Sequence, residues 1–337
     1  MSEPKFLVVR LGSLGDIVHT FPAVAALRDT FPSAKIVWLT HPRWKDLVAA
    51  AGLATEVWEL DTKTFSSVRS TLSRIRRESF SLAIDYQGLW KSAAIPFLAG
   101  VKRRIGFGRG SAREGGAAML YTERVAATAA HVADKNGELS LRAGASKPVW
   151  AFSIGVPEAA RAGVQAILAG NGIERYLVLS PGGGWISKCW PPERFGELAR
   201  RLFEEFGLRT VINFGPGEES LSNRVIAAAG SSRPFPYSGS FGELLAILRG
   251  ATCVVAGDTG PLHLADALGT AVVAVFGPTD PDRNGPYLGR GAAGRAIVLR
   301  AKNVVSTYKR GDEPHPSILK IHVDDVLGAM RSLRVIG

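Results

Sequence analysis

Short apolar runs that close on small or polar residues recur along this chain between longer stretches of helical spacing. They are "FLVVR" (6–10), "KIVWLT" (35–40), "LAIDY" (82–86), "YLVLSPGGG" (176–184), "TVINFG" (210–215), "TCVVAGDTG" (252–260) and "AVVAVFGPT" (271–279). A run without polar alternation suits a strand covered on both faces, and helices on the two sides of a parallel sheet supply that cover. Right-handed βαβ units around mostly parallel sheets are therefore expected. The rhythm breaks at "SLRAGASKPVWAFSIGVPEAA" (140–160) and then restarts. This predicts one domain over 1–160 and a second over 170–320. A last helical pattern within 321–337, "VDDVLGAMRSL" (323–333), is open to either domain, packing back on the first being one alternative. Strands that end in Gly, Asp, Pro or Thr point to a site beyond their carboxyl ends, where open α/β sheets bind ligands.

With 337 residues and 46% apolar content, the chain can bury two cores without staples. Its two cysteines, Cys189 and Cys253, suit a reducing compartment, and neither has a histidine cluster near it in sequence for zinc. The first apolar run stops at Arg10, too short for a signal peptide or a spanning helix, so a cytosolic protein is expected. Lys and Arg outnumber Asp and Glu by 41 to 30, a net charge of +11. Residues 1–150 hold 21 basic and 13 acidic residues, a net of +8, so something negative is expected to meet the first half.

The loop after the first run reads "RLGSLGDIVHTFPA" (10–23). Gly12 and Gly15 give G-x-x-G, which is neither the dinucleotide fingerprint nor a Walker A loop, and a dehydrogenase is disfavoured. Asp16 opens a helical pattern over 17–27, where a carboxylate caps free N–H groups. That position favours the ionised form and lowers basicity. An ionised carboxylate can still take a proton from a hydroxyl that acidifies as it attacks. Cap and base both remain open, and they are compatible if one oxygen caps while the other faces a ligand.

In "SPGGGWISKCWP" (180–191), three glycines precede Ser187, Lys188 and a Pro-started helix. Bare N–H groups with one ammonium suit a diphosphate or else form a surface loop. "AGDTGPLHLADALG" (256–269) places Asp258, Thr259 and Gly260 at a helix start, with His263 one turn on. A second phosphate seat fits there, and His263 alone reads as a hydrogen-bonded structural residue. Lys102, Arg103, Arg104, Arg109 and Arg113 put five cations into twelve residues, either a solvated face or an anion site.

These stretches, with "IDYQGLWKSAA" (84–94) and "FGPTDP" (276–281), resemble the heptosyltransferases of lipopolysaccharide core synthesis, glycosyltransferase family 9, and most of all heptosyltransferase I. The resemblance implies a GT-B fold, two Rossmann-like domains facing each other across a cleft. It implies inverting transfer of L-glycero-D-manno-heptose from ADP-heptose to a Kdo of the lipid A inner core, with Asp16 as general base. Gly183, Gly184, Ser187, Lys188, Glu218, Asp258, Thr259, Gly260 and His263 fall at donor-binding positions. Gly183 and Gly184 stand where hydroxyl residues are common, and Gly239 where a larger side chain can cover adenine. Acceptor binding falls to Ser13, Gly15, Lys102, Arg103, Arg104, Arg109 and Arg113. The resemblance also implies no metal and no cofactor, ADP-heptose being a substrate. A monomer is expected, cytoplasmic and peripheral on the anionic inner face of the inner membrane, with Kdo-lipid A as acceptor and no nucleic acid. Two alternatives remain: a related transferase using another nucleotide sugar or adding a later heptose, and a non-enzymatic basic nucleic-acid-binding protein. The latter calls for aromatics interleaved with the cations, and only Phe107 lies within 102–113.

Overall fold

The computed structural model describes residues 3–146, 154–288 and 294–337. The chain divides into two compact units, Met1–Gly155 and Val156–Gly337. Residues 147–153 of the expected break lie outside the described residues.

The first unit is built on β1 (Lys5–Val9), β2 (Lys35–Thr40), β3 (Glu56–Glu59), β4 (Leu82–Asp85), β5 (Arg104–Phe107) and β6 (Glu123–Val125). These strands lie in the order β3-β2-β1-β4-β5-β6, every pair parallel. The second unit carries β7 (Tyr176–Ser180), β8 (Arg209–Asn213), β9 (Phe235–Tyr237), β10 (Val254–Gly257), β11 (Val272–Phe276) and β12 (Ala296–Arg300). Their order, β12-β11-β10-β7-β8-β9, is also parallel throughout. Counted from its own first strand, each sheet follows the same doubly wound path, in which the winding reverses between the first and fourth strands. Ligands bind such sheets outside the carboxyl ends at that reversal. The loops after β1 and β4, and those after β7 and β10, are thereby singled out by topology alone.

Strands β3, β6, β9 and β12 are the sheet edges and match none of the apolar runs read from the sequence. Being covered on fewer sides, they tolerate the charged and proline residues of "EVWE", "ERV" and "FPY". The pattern expected as one helix over 17–27 is two helices, Leu14–Val18 and Phe21–Thr30. Pro22 has no N–H for the carbonyl four residues back, and the Thr20 hydroxyl bonds back to the Asp16 carbonyl at 2.8 Å.

The terminal helix, Val323–Ser332, which the sequence left open to either domain, contributes to the second unit. Its apolar face, Val323, Val326, Leu327 and Met330, belongs to the core of the second unit with Leu177, Leu202 and Val273. Arg201 adds an ion pair to Asp324 at 2.5 Å.

Candidate functional site

Asp16 is not the cap residue itself. Ser13 is the N-cap of the short helix and Asp16 sits three positions on, its Oδ2 accepting from the Ser13 N–H at 3.1 Å and the Ser13 hydroxyl at 3.0 Å. Its Oδ1 meets the Arg10 guanidinium at 2.8 Å, and Arg113 approaches Oδ2 at 3.3 Å. The Asp16 side chain is 22% exposed, whereas that of Arg10 is only 4%. Burial pushes the Asp16 pKa up, but the Arg10 and Arg113 charges and the Ser13 hydrogen bonds outweigh it and hold the group well below the usual carboxylate range. Gly15 lies in the same helical turn, and its carbonyl accepts from the His19 N–H at 2.9 Å.

Arg10, a residue the sequence reading treats only as the end of a strand, is the buried partner of this carboxylate. Its other terminal nitrogen donates to the Tyr86 carbonyl in the loop after β4. That loop is fixed in turn by Asp85, which accepts from the Gln87 N–H at 2.8 Å and from the Ser92 and Tyr121 hydroxyls at 2.7 Å each. Gln87 Oε1 then accepts the Leu11 N–H at 2.6 Å. The "IDYQGLWKS" stretch thus serves as scaffold, holding the first loop and the orientation of Arg10 together. A charged residue closing a fully apolar strand was the available signal.

The basic run does not stay together. Lys102 precedes β5 and Arg104 opens it, while Arg109 and Arg113 follow its carboxyl end, four strand residues or roughly 10–13 Å away. Arg103 pairs with Glu123 at 2.5 Å, and Arg104 donates to the Leu120 carbonyl at 2.8 Å and to that of Val101. Of the five, Arg113 alone contacts Asp16 among the described residues, and Arg109 lies exposed on its loop. Strand direction separates what sequence contiguity groups.

In the second unit the loops after β7 and β10 converge. Lys188, buried in a short turn over Ile186–Lys188, donates to the Asp258 carbonyl and lies 3.5 Å from Asp258 Oδ2. His263 Nε2 stands 3.3 Å from Asp258 Oδ1, so the histidine braces the carboxylate. Burial pushes the Asp258 pKa up, but the His263 hydrogen bond and the Lys188 charge prevail and bring it down to about 2. Thr259 stands at the N-cap position of the helix Gly260–Ala267, and its buried hydroxyl has no hydrogen-bond partner among the described residues.

A Cβ on Gly183 would come within 2.7 Å of Cys189 Sγ and 3.3 Å of the Thr259 methyl, so a side chain here would displace Cys189 and crowd Thr259. Gly184 faces open space. Gly182 is pressed by the Glu218 carboxylate, whose Oε2 accepts the Gly215 N–H at 2.8 Å. Ser187 turns toward the segment 307–315, its carbonyl accepting the His315 N–H at 3.0 Å. The Trp185 ring has the Lys188 ammonium at 4.2 Å and the Arg310 guanidinium at 5.4 Å from its centroid. Segment 307–315 and Arg310 carry no sequence motif that marks them as part of this site. At Gly239, a larger side chain would meet Tyr237 at 2.8 Å and Glu243 at 2.9 Å, so the aromatic surface here belongs to Tyr237.

Burial pushes the Cys189 thiol up to about 11 and that of Cys253 to about 12, which makes both poor nucleophiles. No group of three His, Cys, Asp or Glu side chains that could hold a metal occurs among the described residues. The spelling Asp280-Pro281-Asp282 is a helix cap, with Asp280 Oδ1 accepting the Asp282 N–H at 3.0 Å.

Two doubly wound parallel units, the second with a cation and a helix start at its reversal point, define a GT-B-like fold. A profile of glycosyltransferase family 9 (heptosyltransferase) matches residues 68–308, and the chain belongs to that family. It is 29% identical over 306 residues to lipopolysaccharide heptosyltransferase 1 of Pseudomonas aeruginosa, covering 84% of this chain and 81% of that one. The structure of E. coli heptosyltransferase WaaC with ADP superposes with a TM-score of 0.74 at 25% identity, covering 97% of each chain. That of E. coli ADP-heptose lps heptosyltransferase II gives 0.81 at 20% identity over 98% of each, a likeness of fold. Family membership sets the non-enzymatic alternative aside.

Proposed function

We propose that this chain transfers L-glycero-D-manno-heptose from ADP-heptose to a Kdo of the lipid A inner core, with inversion, as a heptosyltransferase I. The observation that carries the reading is Asp16, an ionised, partly exposed carboxylate at the reversal point of the first sheet. Inversion in a single displacement needs a base for the acceptor hydroxyl and a charge seat for departing ADP, and the two units divide those tasks. Asp16 takes the proton. Its acidity makes it a weak base at rest, so the transfer comes late, as the attacking hydroxyl acidifies. Arg113, 53% exposed, is a loose partner of Asp16. A carboxylate or phosphate on the acceptor competes for Arg113 and restores basicity as the acceptor arrives.

Lys188, the N–H groups of the glycine loop and the start of the Gly260 helix stabilise charge on the diphosphate. The unpartnered Thr259 hydroxyl supplies a further donor, and Glu218 accepts from ribose hydroxyls. Asp258 holds Lys188 and His263 in place. The acceptor's acyl chains remain in the bilayer, and the enzyme works as a cytoplasmic monomer peripheral to the anionic membrane face. No helix among the described residues is long and apolar enough to cross a membrane.

The test is incubation of purified protein with ADP-heptose and Kdo-lipid A. The expected result is one heptose mass increment on the acceptor, matched by ADP release. ADP release without transfer would remove the acceptor assignment, and no release would remove the donor.

A further inference from the structure

We propose that the outer face of the helix Trp90–Leu98, with Met119 beside it, seats the protein on an anionic bilayer. Trp90, Phe97, Leu98 and Met119 are between 45% and 74% exposed. At 3.6 residues per turn, positions 90, 94, 97 and 98 share one face, while Ser92, Ala93, Ile95 and Pro96 face the interior. Met119 joins the stripe because the Trp90 indole lies so closely against Gly116 that an added Cβ there would clash with the ring, and Met119 is one 3₁₀ turn on from Gly116.

Cations rim the stripe at both ends. The Arg104 guanidinium lies 5.3 Å from the Phe97 ring centroid, and Arg76 donates to the Leu98 carbonyl at 2.8 Å. Lys91 and Lys102 are exposed and form no ion pair among the described residues. Glu114, a carboxylate beside this face, accepts the Trp90 backbone N–H at 2.6 Å. Part of the basic run that strand β5 carries away from Asp16 thus acquires a use.

Apolar side chains ringed by Lys and Arg suit the boundary between headgroups and acyl chains, with the cations reaching back to anionic headgroups. A second copy of this chain fits poorly, since two such faces would oppose cation rim to cation rim. The inference deepens the proposed reading, in which an acceptor anchored by acyl chains must be met at a membrane surface.

The experiment is sedimentation of the full chain with vesicles of phosphatidylcholine alone or mixed with phosphatidylglycerol. Binding is expected only with the anionic lipid, weakening as salt rises. The double variant Phe97→Glu/Leu98→Glu, and independently Met119→Glu, should each weaken vesicle binding at least about tenfold. Lys91→Gln or Lys102→Gln should each cost about fivefold. Turnover of Phe97→Glu/Leu98→Glu on a deacylated, soluble Kdo acceptor should match the parent. Vesicle binding that survives both sets of apolar variants would overturn the surface and leave the transferase reading intact. Lipid binding as described by a protein inactive on every acceptor would uphold the surface and sink that reading. A dimer abolished by Leu98→Glu, with no vesicle binding, would replace the bilayer by a second copy.

Discussion

Replacing Arg10 by Gln removes the charge 2.8 Å from Asp16 and the donor to the Tyr86 carbonyl. Arg10 is almost wholly buried, and a buried pair that loses one partner costs about 3–5 kcal/mol because the other charge is left uncompensated. Arg113 still faces Asp16 at 3.3 Å and water reaches the carboxylate, which places the expected loss near the lower end, about 3 kcal/mol. Removing the carboxylate as well relieves part of that cost. Arg10→Gln/Asp16→Asn should therefore be more stable than the sum of the single variants by at least about 1 kcal/mol. The assay is urea-dependent amide exchange in β1 and β4 for the four proteins at pH 7. The sign of the pH effect follows from the depressed Asp16 pKa: the coupling is fully present above the ordinary carboxylate value of 3.8 and is lost as pH falls through the folded-state value. A cycle that closes additively at pH 7, within about 0.5 kcal/mol, would refute the claim that Arg10 holds Asp16 ionised.

Lys188→Ala should weaken ADP binding about 10- to 100-fold by calorimetry, the range for losing a charge-assisted hydrogen bond, and unchanged affinity would remove Lys188 from the phosphate seat. Gly183→Ser should lower stability by about 1–3 kcal/mol and impair donor binding, because Cys189 Sγ stands 2.7 Å from the new Cβ. Gly184→Ser, with nothing within 4 Å, should be tolerated, and equal behaviour of the two in thermal unfolding would contradict the loop geometry.

The interior strands were legible because parallel strands buried on both faces demand unbroken apolar runs, as in "KIVWLT" and "AVVAVF". The edge strands were not, since a half-covered strand carries no such demand. Interior β5, "RIGF", escaped because four residues opened by arginine leave too short a run. In the second unit the glycine loop, Lys188 and Asp258 were readable from their places at strand ends, and the structure brings them together. The Arg10–Asp16 pair was not, because it depends on how the loop folds back and on the carbonyl of Tyr86, which no spacing encodes. The cation run misled for a related reason: five charges within twelve residues were divided by a strand that leaves Lys102, Arg103 and Arg104 at its amino end and Arg109 and Arg113 beyond its carboxyl end. For the terminal helix, the apolar face was readable but the sheet it covers was not, since helical periodicity says that a face is buried and never against what.

The central claim concerns Asp16, and Asp16→Asn tests it most directly, because the amide keeps the shape and can still accept the Ser13 hydrogen bonds. With ADP-heptose and Kdo-lipid A, turnover should fall by at least about tenfold, and by up to about 10⁴-fold if general-base catalysis is fully lost, while ADP affinity stays at the parent value. Turnover equal to the parent would contradict the account.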